Sequence, residues 1–274
     1  GETVEITGAI QPDTSWYNKD KKVQEIQDEA DMYGFLNLLS EGNTFAEKEI
    51  HLKADLTMNY LEEGTVAQWK AGTVVPENQW AAGTKFAGTF DGEMHTIKGL
   101  YLNTSSRYAG LFGQIQTSGV VKNFYLTDSL IQSTSSDVGS VAGVSYGTVD
   151  TVYSNATIIA QAYRSGGIVG HVPWHNTTAY INNCWFDGEV NSTITKADSR
   201  VGGILAHVSQ GKINMENCLF TGNLSVKDAL DTTRIGGFVG SRTDLSVKNT
   251  TSKIKYVYVD ETTGEQTPAY TTVN

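Results

Sequence analysis

The sequence has little charge, little proline, two cysteines and no long apolar run. Charged residues make up 18% of the 274 residues and the formal net charge is −10, which excludes binding of nucleic acid or anionic membranes by general electrostatics. No apolar stretch approaches the roughly 20 residues of a membrane-spanning helix. Cys184 and Cys218 provide neither a disulfide framework nor a CxxC metal pair. We therefore predict no nucleic-acid partner, no membrane insertion, no metal and no cofactor.

Glycine and aromatic residues are plentiful, with 28 Gly, 13 Tyr and 5 Trp, as in a soluble, turn-rich β protein. The opening GETVEITGAIQP shows no signal-peptide pattern and indicates the start of a mature or excised fragment. A glycine box then recurs at intervals of 27 to 36 residues, as YAGLFG at 108, VGSVAG at 138, SGGIVG at 165, VGGILA at 201 and IGGFVG at 235. Such a period predicts a solenoid of stacked coils.

A second unit lies between the boxes, and its positions define columns that run from coil to coil. The interior column is small or apolar and comprises Phe124, Val152, Cys184, Cys218 and Thr250. The preceding column, predicted to form a corner ladder of asparagines, comprises Asn123, Thr151, Asn183, Asn217 and Asn249. The following column should point outward because strand side chains alternate; it comprises Tyr125, Tyr153, Trp185, Leu219 and Thr251. Stacking predicts that the cysteines are buried, with a disulfide between coils as the alternative.

A further stretch, FAGTFDGEMHTIKGLYLN at 86–103 followed by YAGLFG, resembles bacterial cell-surface proteins that carry GLUG-type repeats. The resemblance covers roughly residues 27–252 and implies a right-handed parallel β-helix, an all-β fold, on an extracellular protein. We therefore expect the chain to be part of a larger multimodular surface protein. The resemblance also implies structural roles for Asp91 and His95 of the motif. It implies no single activity, because such repeats occur in adhesins, glycan-binding proteins and attachments to glycoside-active enzymes.

The segments outside the repeats predict a single domain over 1–274, with an N-terminal cap and lead-in strand over 1–59 and coils over 86–252. Apolar spacing over 23–39 predicts a capping helix. Residues 60–85 read as a long insertion loop. Alternating runs over 253–274 predict a C-terminal β-hairpin around a Thr-Thr-Gly turn.

Catalytic patterns are weak, so we predict that the chain is not an enzyme. Candidate carboxylates for a glycosidase occur on several coils, but none recurs in a column with a partner; they are Asp137, Asp150, Asp187 and Asp198. Arg164 and Arg200 stand apart from them in sequence. The chain has no HExxH motif, and its serines lack the strand-to-helix context of a G-x-S-x-G nucleophile. His171 and His207 share one column, which indicates a polar ladder more strongly than a metal or proton-transfer site.

Aromatic residues beside planar polar groups point to carbohydrate, since sugars present C–H faces and hydroxyls. The strip Tyr125, Tyr153 and Trp185 is one candidate surface, although the N-terminal helix or the 60–85 insertion could cover it. Trp174, with His175 and Asn176, lies in an insertion that other repeats lack, and Trp69 and Trp80 lie in the 60–85 insertion. The residues predicted to bind ligand are Trp174, His175, Asn176, Trp185, Trp69, Trp80, Tyr153, Tyr125, His171 and His207.

The sequence thus predicts a non-catalytic, extracellular module that binds a neutral poly- or oligosaccharide, with an α-glucan such as starch as one candidate. The predicted site lies where insertions 60–85 and 171–180 meet. One alternative is a β-helix glycoside hydrolase or polysaccharide lyase. The other is a protein-binding adhesin or structural spacer.

Overall fold

The chain forms a parallel β-solenoid of about five turns, as predicted. The computed structural model describes residues 8–61, 65–242, 246–248, 251–259 and 266–273, and the side chains of 8–61 and 65–241. The described strands form three sheets that run along the solenoid. The elements that precede the glycine boxes, in chain order, are β1 (Val23–Ile26), α1 (Glu29–Ser40), β2 (Glu49–Leu52), β3 (Leu56–Thr57), α2 (Thr65–Ala71), β4 (Lys85–Phe86), β5 (Thr89–Lys98) and β6 (Tyr101–Thr104).

The repeat coils supply most of the strands. The strands from the first glycine box to the first double glycine, Gly166–Gly167, and just beyond it are β7 (Phe112–Ile115), β8 (Val120–Thr127), β9 (Leu130–Ser133), β10 (Asp137–Val138), β11 (Ala142–Ser145), β12 (Thr148–Ser154), β13 (Thr157–Ala160), β14 (Arg164–Gly166) and β15 (Val169–Val172). The later strands are β16 (Thr178–Asn182), β17 (Trp185–Phe186), β18 (Glu189–Thr193), β19 (Arg200–Gly202), β20 (Leu205–Val208), β21 (Lys212–Glu216), β22 (Leu219–Phe220), β23 (Asn223–Lys227), β24 (Arg234–Gly236), β25 (Val239–Arg242), β26 (Ser246–Lys248), β27 (Thr251–Val259) and β28 (Gln266–Val273).

Each glycine box turns the chain from one sheet to the next. Sheet 2 consists of β10, β14, β19 and β24, and sheet 3 consists of β4, β7, β11, β15, β20 and β25. The remaining strands form sheet 1. Neighbouring coils pair in parallel without a shift at the boxes, for example Val169 with Leu205 and then with Val239. Equivalent residues therefore stack in columns along the axis.

The asparagine ladder is confirmed at the described positions. Asn123, Thr151, Asn183 and Asn217 all adopt positive φ, between 52° and 61°, a conformation that asparagine tolerates better than most residues. The Asn217 side-chain amide donates to Oδ1 of Asn183 at 3.2 Å, and that of Asn183 donates to Oδ1 of Asp150 at 3.1 Å. The last predicted member, Asn249, lies outside the described residues.

Cys184 and Cys218 are free thiols inside the solenoid, so the stacked arrangement is confirmed and the alternative disulfide is not formed. The Cys184 thiol donates to the Asn182 carbonyl at 3.2 Å, and the Cys218 thiol donates to the Ile181 carbonyl at 3.3 Å. Burial raises the pKa of the Cys184 thiol. Both residues act as small apolar side chains that complete the interior column.

Helix α1 packs on the N-terminal coils, as a cap should. Asp28 caps it by accepting from the Asp31 amide at 2.9 Å. Phe35 is fully buried and its ring lies 4.9 Å from that of Phe45 and 6.0 Å from that of Phe90. The prediction of helix from residue 23 was wrong, because 23–26 form β1, which pairs in parallel with β2.

The 60–85 segment is not a loop that presents aromatic rings, and this prediction was wrong. Trp69 lies in helix α2 and is 2% exposed, with its ring 5.6 Å from that of Tyr101. Trp80 is 4% exposed and its indole N–H donates to the Leu111 carbonyl at 2.8 Å. Both tryptophans lie in a polar stretch and are buried by tertiary contacts, which the local sequence pattern does not predict. Neither ring is available to a ligand.

The C-terminal hairpin is confirmed by strand pairing. β27 pairs with β23 in parallel and with β28 in antiparallel register, from Ser252 opposite Val273 to Val259 opposite Gln266. The Thr-Thr-Gly turn itself lies outside the described residues. The antiparallel pair ends the run of parallel coils.

Candidate functional site

An exposed row of aromatic rings crosses three coils on sheet 1, and we call Tyr125, Tyr153 and Trp185 the aromatic strip. Parallel register places Tyr125 beside Tyr153 and Tyr153 beside Trp185. The ring centroids of the first pair are 6.0 Å apart and those of the second pair are 4.9 Å apart. Tyr125 is 38% exposed and Trp185 is 42% exposed. The outward orientation predicted from alternation is confirmed, and the strip is not covered.

The two segments that could have covered the aromatic strip, helix α1 and the 60–85 segment, pack elsewhere. Trp69 of α2 packs with Tyr101 and Leu130, and Lys70 of α2 forms an ion pair with Glu189 at 2.7 Å. Helix α1 packs against the buried phenylalanines of the first coils. Both segments therefore leave the aromatic strip open to solvent.

A hydrogen-bond network fixes the two rings at the end of the strip. The Trp185 indole N–H donates to Oγ1 of Thr221 at 2.7 Å, and the Thr221 hydroxyl donates to Oδ1 of Asp187 at 2.6 Å. The other oxygen of Asp187 accepts from the Tyr153 hydroxyl at 3.2 Å. Partial burial, and then the Asp187 carboxylate, raise the pKa of Tyr153. The rings are thus held in place before any ligand arrives, which lowers the entropic cost of binding. The sequence did not identify Asp187 or Thr221 as supports.

The second predicted surface is the loop around Trp174, and the structure splits it. Trp174 is 61% exposed and Asn176 is exposed. His175 is buried, however, with its ring 5.8 Å from that of Tyr146 and with Nδ1 2.7 Å from the Pro173 carbonyl oxygen. The prediction that His175 contacts ligand was therefore wrong.

This loop does not meet the 60–85 segment, so the composite site predicted between them is also wrong. The loop leads from β15 of sheet 3 into β16 and packs on the next coil, where Gly211 lies against the Pro173 carbonyl. Helix α2 instead packs beside β9 and β13. The strand β13 follows the end of β12, whereas the loop leads into β16, which pairs with the start of β12. The loop and the strip are separate surfaces.

His171 and His207 form the predicted ladder, but in a buried position. Their rings stack at 5.3 Å with an interplanar angle of 14°, and they are 7% and 6% exposed. Register continues the column through Val144 to Gln114 and onward to Ser241. The burial of both imidazoles contradicts a role as freely exposed ligand contacts.

A buried ion pair beside this ladder was missed by the sequence reading. Asp137 is 1% exposed, and its Oδ1 accepts from the Arg164 guanidinium at 2.9 Å. Asp137 and Arg164 are 27 residues apart but occupy one column of sheet 2. Alignment of the glycine boxes places both residues in one column, and this alignment could have predicted the pair. Register, not proximity in sequence, pairs them.

His171 also connects Asp137 to a serine in the order of a catalytic triad. Its Nδ1 lies 3.5 Å from Oδ1 of Asp137, and its Nε2 lies 2.6 Å from Oγ of Ser209. Burial first, and then the guanidinium of Arg164, lower the pKa of His171 to about 2. Such an imidazole is a poor base for the serine proton at neutral pH, and the Asp137 charge is already paired with Arg164. The geometry therefore favours a structural network over nucleophilic catalysis.

The two histidines should make the fold sensitive to mild acid. Burial, and then Arg200, lower the pKa of His207 to about 4, so both rings stay neutral in the folded state while the unfolded state takes up protons below about pH 6.5. Because the unfolded state binds more protons, the free energy of unfolding falls as pH falls from 6.5 to 4. The slope is up to about 1.4 kcal/mol per pH unit for each histidine.

Urea unfolding at pH 7.5, 6.0 and 5.0 measures this loss. The double variant His171→Gln and His207→Gln should show a flatter dependence of the free energy of unfolding on pH over that window. An equal slope in the wild type and the double variant would contradict the assignment.

The predicted carboxylate of Asp150 and the motif residues Asp91 and His95 have structural partners. Asp150 accepts from Thr151 at 2.7 Å in addition to the ladder amide of Asn183. Asp91 accepts from the Asn123 amide at 3.1 Å, and Asp55 lies 3.1 Å from Nδ1 of His95. Across the described ranges, no group of three or more His, Cys, Asp or Glu residues is placed to hold a metal ion. Nor does any helix described there have the length and apolar character to cross a membrane.

Comparison with known proteins relates the chain to others by regions of sequence and by fold. No protein-family model matches, so the GLUG-type resemblance stays a prediction. The chain is 29% identical to halomucin of Haloquadratum walsbyi over 176 residues, which cover 63% of the chain and 2% of halomucin. It is 37% identical over 71 residues to a protein of Evansella cellulosilytica named as a Gly-rich membrane protein, covering 25% of the chain and 8% of that protein.

A solved structure from Bacteroides ovatus, which carries the name of an immunoglobulin A1 protease, superposes with a TM-score of 0.56. The match covers 92% of this chain and 80% of that chain at 16% identity. At this identity the likeness concerns the fold and not the activity. The chain therefore shares its solenoid with the Bacteroides ovatus protein, and parts of its sequence match small fractions of two much longer proteins.

Proposed function

We propose that the chain is an extracellular module that binds a neutral polysaccharide on the aromatic strip without cleaving it. The observation that carries the proposal is the strip itself, with three solvent-facing rings on consecutive coils. Exposed aromatic side chains held in fixed positions are typical of recognition surfaces. The names of the relatives, halomucin and a Gly-rich membrane protein, favour a place at the cell surface.

The surroundings of the strip suit hydroxyl groups better than charges. Thr221 and Asn155 flank the strip together with Asp187, and these side chains offer hydroxyl, amide and carboxylate groups for hydrogen bonds. Asp187 accepts two hydrogen bonds from strip residues and their support, so its charge serves the platform. A neutral sugar ring can place its C–H face on Trp185 and its hydroxyls on these groups.

Gel retardation by embedded polysaccharides tests the proposal. The panel contains starch, a β-glucan, a mannan and a gel without polysaccharide, and the same samples are assayed for new reducing ends and unsaturated products. Retardation by a neutral polysaccharide without product supports the proposal. Release of product would identify an enzyme instead, and a lack of retardation across the neutral panel would overturn carbohydrate binding on the strip.

A further inference from the structure

A second surface carries a row of arginines in a chain of net charge −10. Arg164, Arg200 and Arg234 occupy the same position of β14, β19 and β24 and pair in register across three coils. Adjacent parallel strands lie about 4.8 Å apart, so the row places one arginine per coil at about that backbone interval. Like charges at this distance repel one another, and a structural role alone does not require three of them.

Only the first arginine of the row has a carboxylate partner among the described residues. Arg164 pairs with Asp137 at 2.9 Å. The guanidinium of Arg200 donates to the Asp198 carbonyl, and that of Arg234 donates to the Asp231 carbonyl at 3.2 Å. Within the part of the chain whose side chains are described, no carboxylate lies within 4.0 Å of either group. Backbone carbonyls orient these two guanidiniums without neutralising them.

Aromatic and imidazole rings frame the row. The Tyr163 ring lies 4.5 Å from the Arg164 guanidinium carbon and 5.6 Å from that of Arg200. His171 and His207 face the row across the turn between sheets 2 and 3, as the contact of His171 with Asp137 shows. Burial first, and then the guanidiniums of Arg164 and Arg200, lower the pKa of both histidines. We call the arginine row with these two histidines the Arg–His corner.

We propose that the Arg–His corner binds an anionic polysaccharide, such as a polyuronate, that runs along the solenoid axis. Carboxylates of successive sugars would accept hydrogen bonds from Arg200 and Arg234. Successive arginines of the row are separated along the solenoid axis by one coil spacing, about 4.8 Å. An extended acidic peptide places carboxylates of one face about 6.6 Å apart and does not match this interval.

This site is separate from the aromatic strip, because the strip lies on sheet 1 and the corner lies between sheets 2 and 3. The proposal therefore stands or falls independently of neutral glycan binding. It also selects a different chemical class of ligand, in which charge is required.

Retardation in gels that contain polygalacturonate tests the proposal, with poly-L-glutamate and starch gels for comparison. The double variant Arg200→Gln and Arg234→Gln should lose at least about tenfold in affinity for polygalacturonate, because charge-assisted hydrogen bonds are lost. Lys21→Gln with Lys22→Gln removes the same charge from the exposed N-terminal segment and should bind as the wild type does. Trp185→Ala should also keep polygalacturonate binding, which separates this site from the strip.

Added salt should weaken the polygalacturonate complex of the wild type and have less effect on the residual binding of the arginine variant. Several results would overturn the proposal: no retardation of the wild type by polygalacturonate, equal losses in the arginine and lysine variants, or binding to poly-L-glutamate as tight as to polygalacturonate. Thermal unfolding of both variants checks that a loss of binding is not a loss of fold.

Discussion

Replacing Trp185 with alanine is expected to weaken binding of a neutral polysaccharide by about 30-fold or more, since truncating an aromatic residue that dominates a binding surface commonly costs about 2 kcal/mol or more. The loss has two physical sources. The exposed indole face disappears, and the Thr221 hydroxyl loses the hydrogen bond that it accepts from the indole N–H at 2.7 Å. Affinity gel electrophoresis against the polysaccharide identified in the panel measures the effect.

The fold should survive this change, because Trp185 is 42% exposed and surface substitutions away from buried networks cost little. Trp174→Ala is the matched control, since it removes an equally large ring from a different surface. Binding lost in the Trp174 variant and kept in the Trp185 variant would place the site on the 173–177 loop and refute the strip. A large fall in the melting temperature of Trp185→Ala would show a structural role instead.

Replacing Gly167 with alanine is expected to lower the free energy of unfolding by about 3 kcal/mol or more, at the upper end of overpacking costs. A Cβ at this position would collide with the carbonyl oxygen of Gly203 and lie 2.5 Å from the Phe186 ring. Phe186 is fully buried and stacks on Phe220 at 6.1 Å. Relief would require one coil to move away from the next, which would disturb the hydrogen bond from the Gly167 amide to the Gly202 carbonyl at 3.2 Å.

Gly8→Ala is the control for this change, because a Cβ there has no neighbour within 4 Å. Urea unfolding of the two variants gives the comparison. A Gly167→Ala protein as stable as the wild type would show that the coils tolerate wider separation at the box. The double glycine would then be a matter of chain composition and not of packing.

The solenoid and its columns could be predicted because a parallel stack repeats one cross-section. Once the boxes were aligned, the interior position of Cys184, the ladder position of Asn183 and the outward position of Trp185 followed from alternation. One coil departs from the pattern at two positions that are close together in the next coil, those of Gly167 and Phe186. In register, the position of Phe186 is held by Ser154 in the preceding coil, and the preceding glycine box likewise holds Ser140 at the position of Gly167.

The failures concern contacts between parts of the chain that no repeat relates. Trp69 and Trp80 occupy a polar segment, and only packing on Tyr101 and on the Leu111 carbonyl buries them. His175 is buried for a similar reason, against Tyr146. Alignment of the glycine boxes is enough to place the three arginines in one row, but the position of His171 beside that row depends on the bend between sheets 2 and 3. Residue spacing alone does not specify that bend.

The constant register of the coils has a consequence for how such a gene can lengthen. A segment such as 167–202 is one complete period of the cross-section, since Gly166 pairs with Gly202. Tandem duplication of its DNA would insert one complete coil between existing neighbours, leaving helix α1 and the terminal hairpin with unchanged contacts. Each duplication would extend the Arg–His corner and the aromatic strip by one position, so recombination could change the length of ligand that the surface accommodates without redesign of the ends.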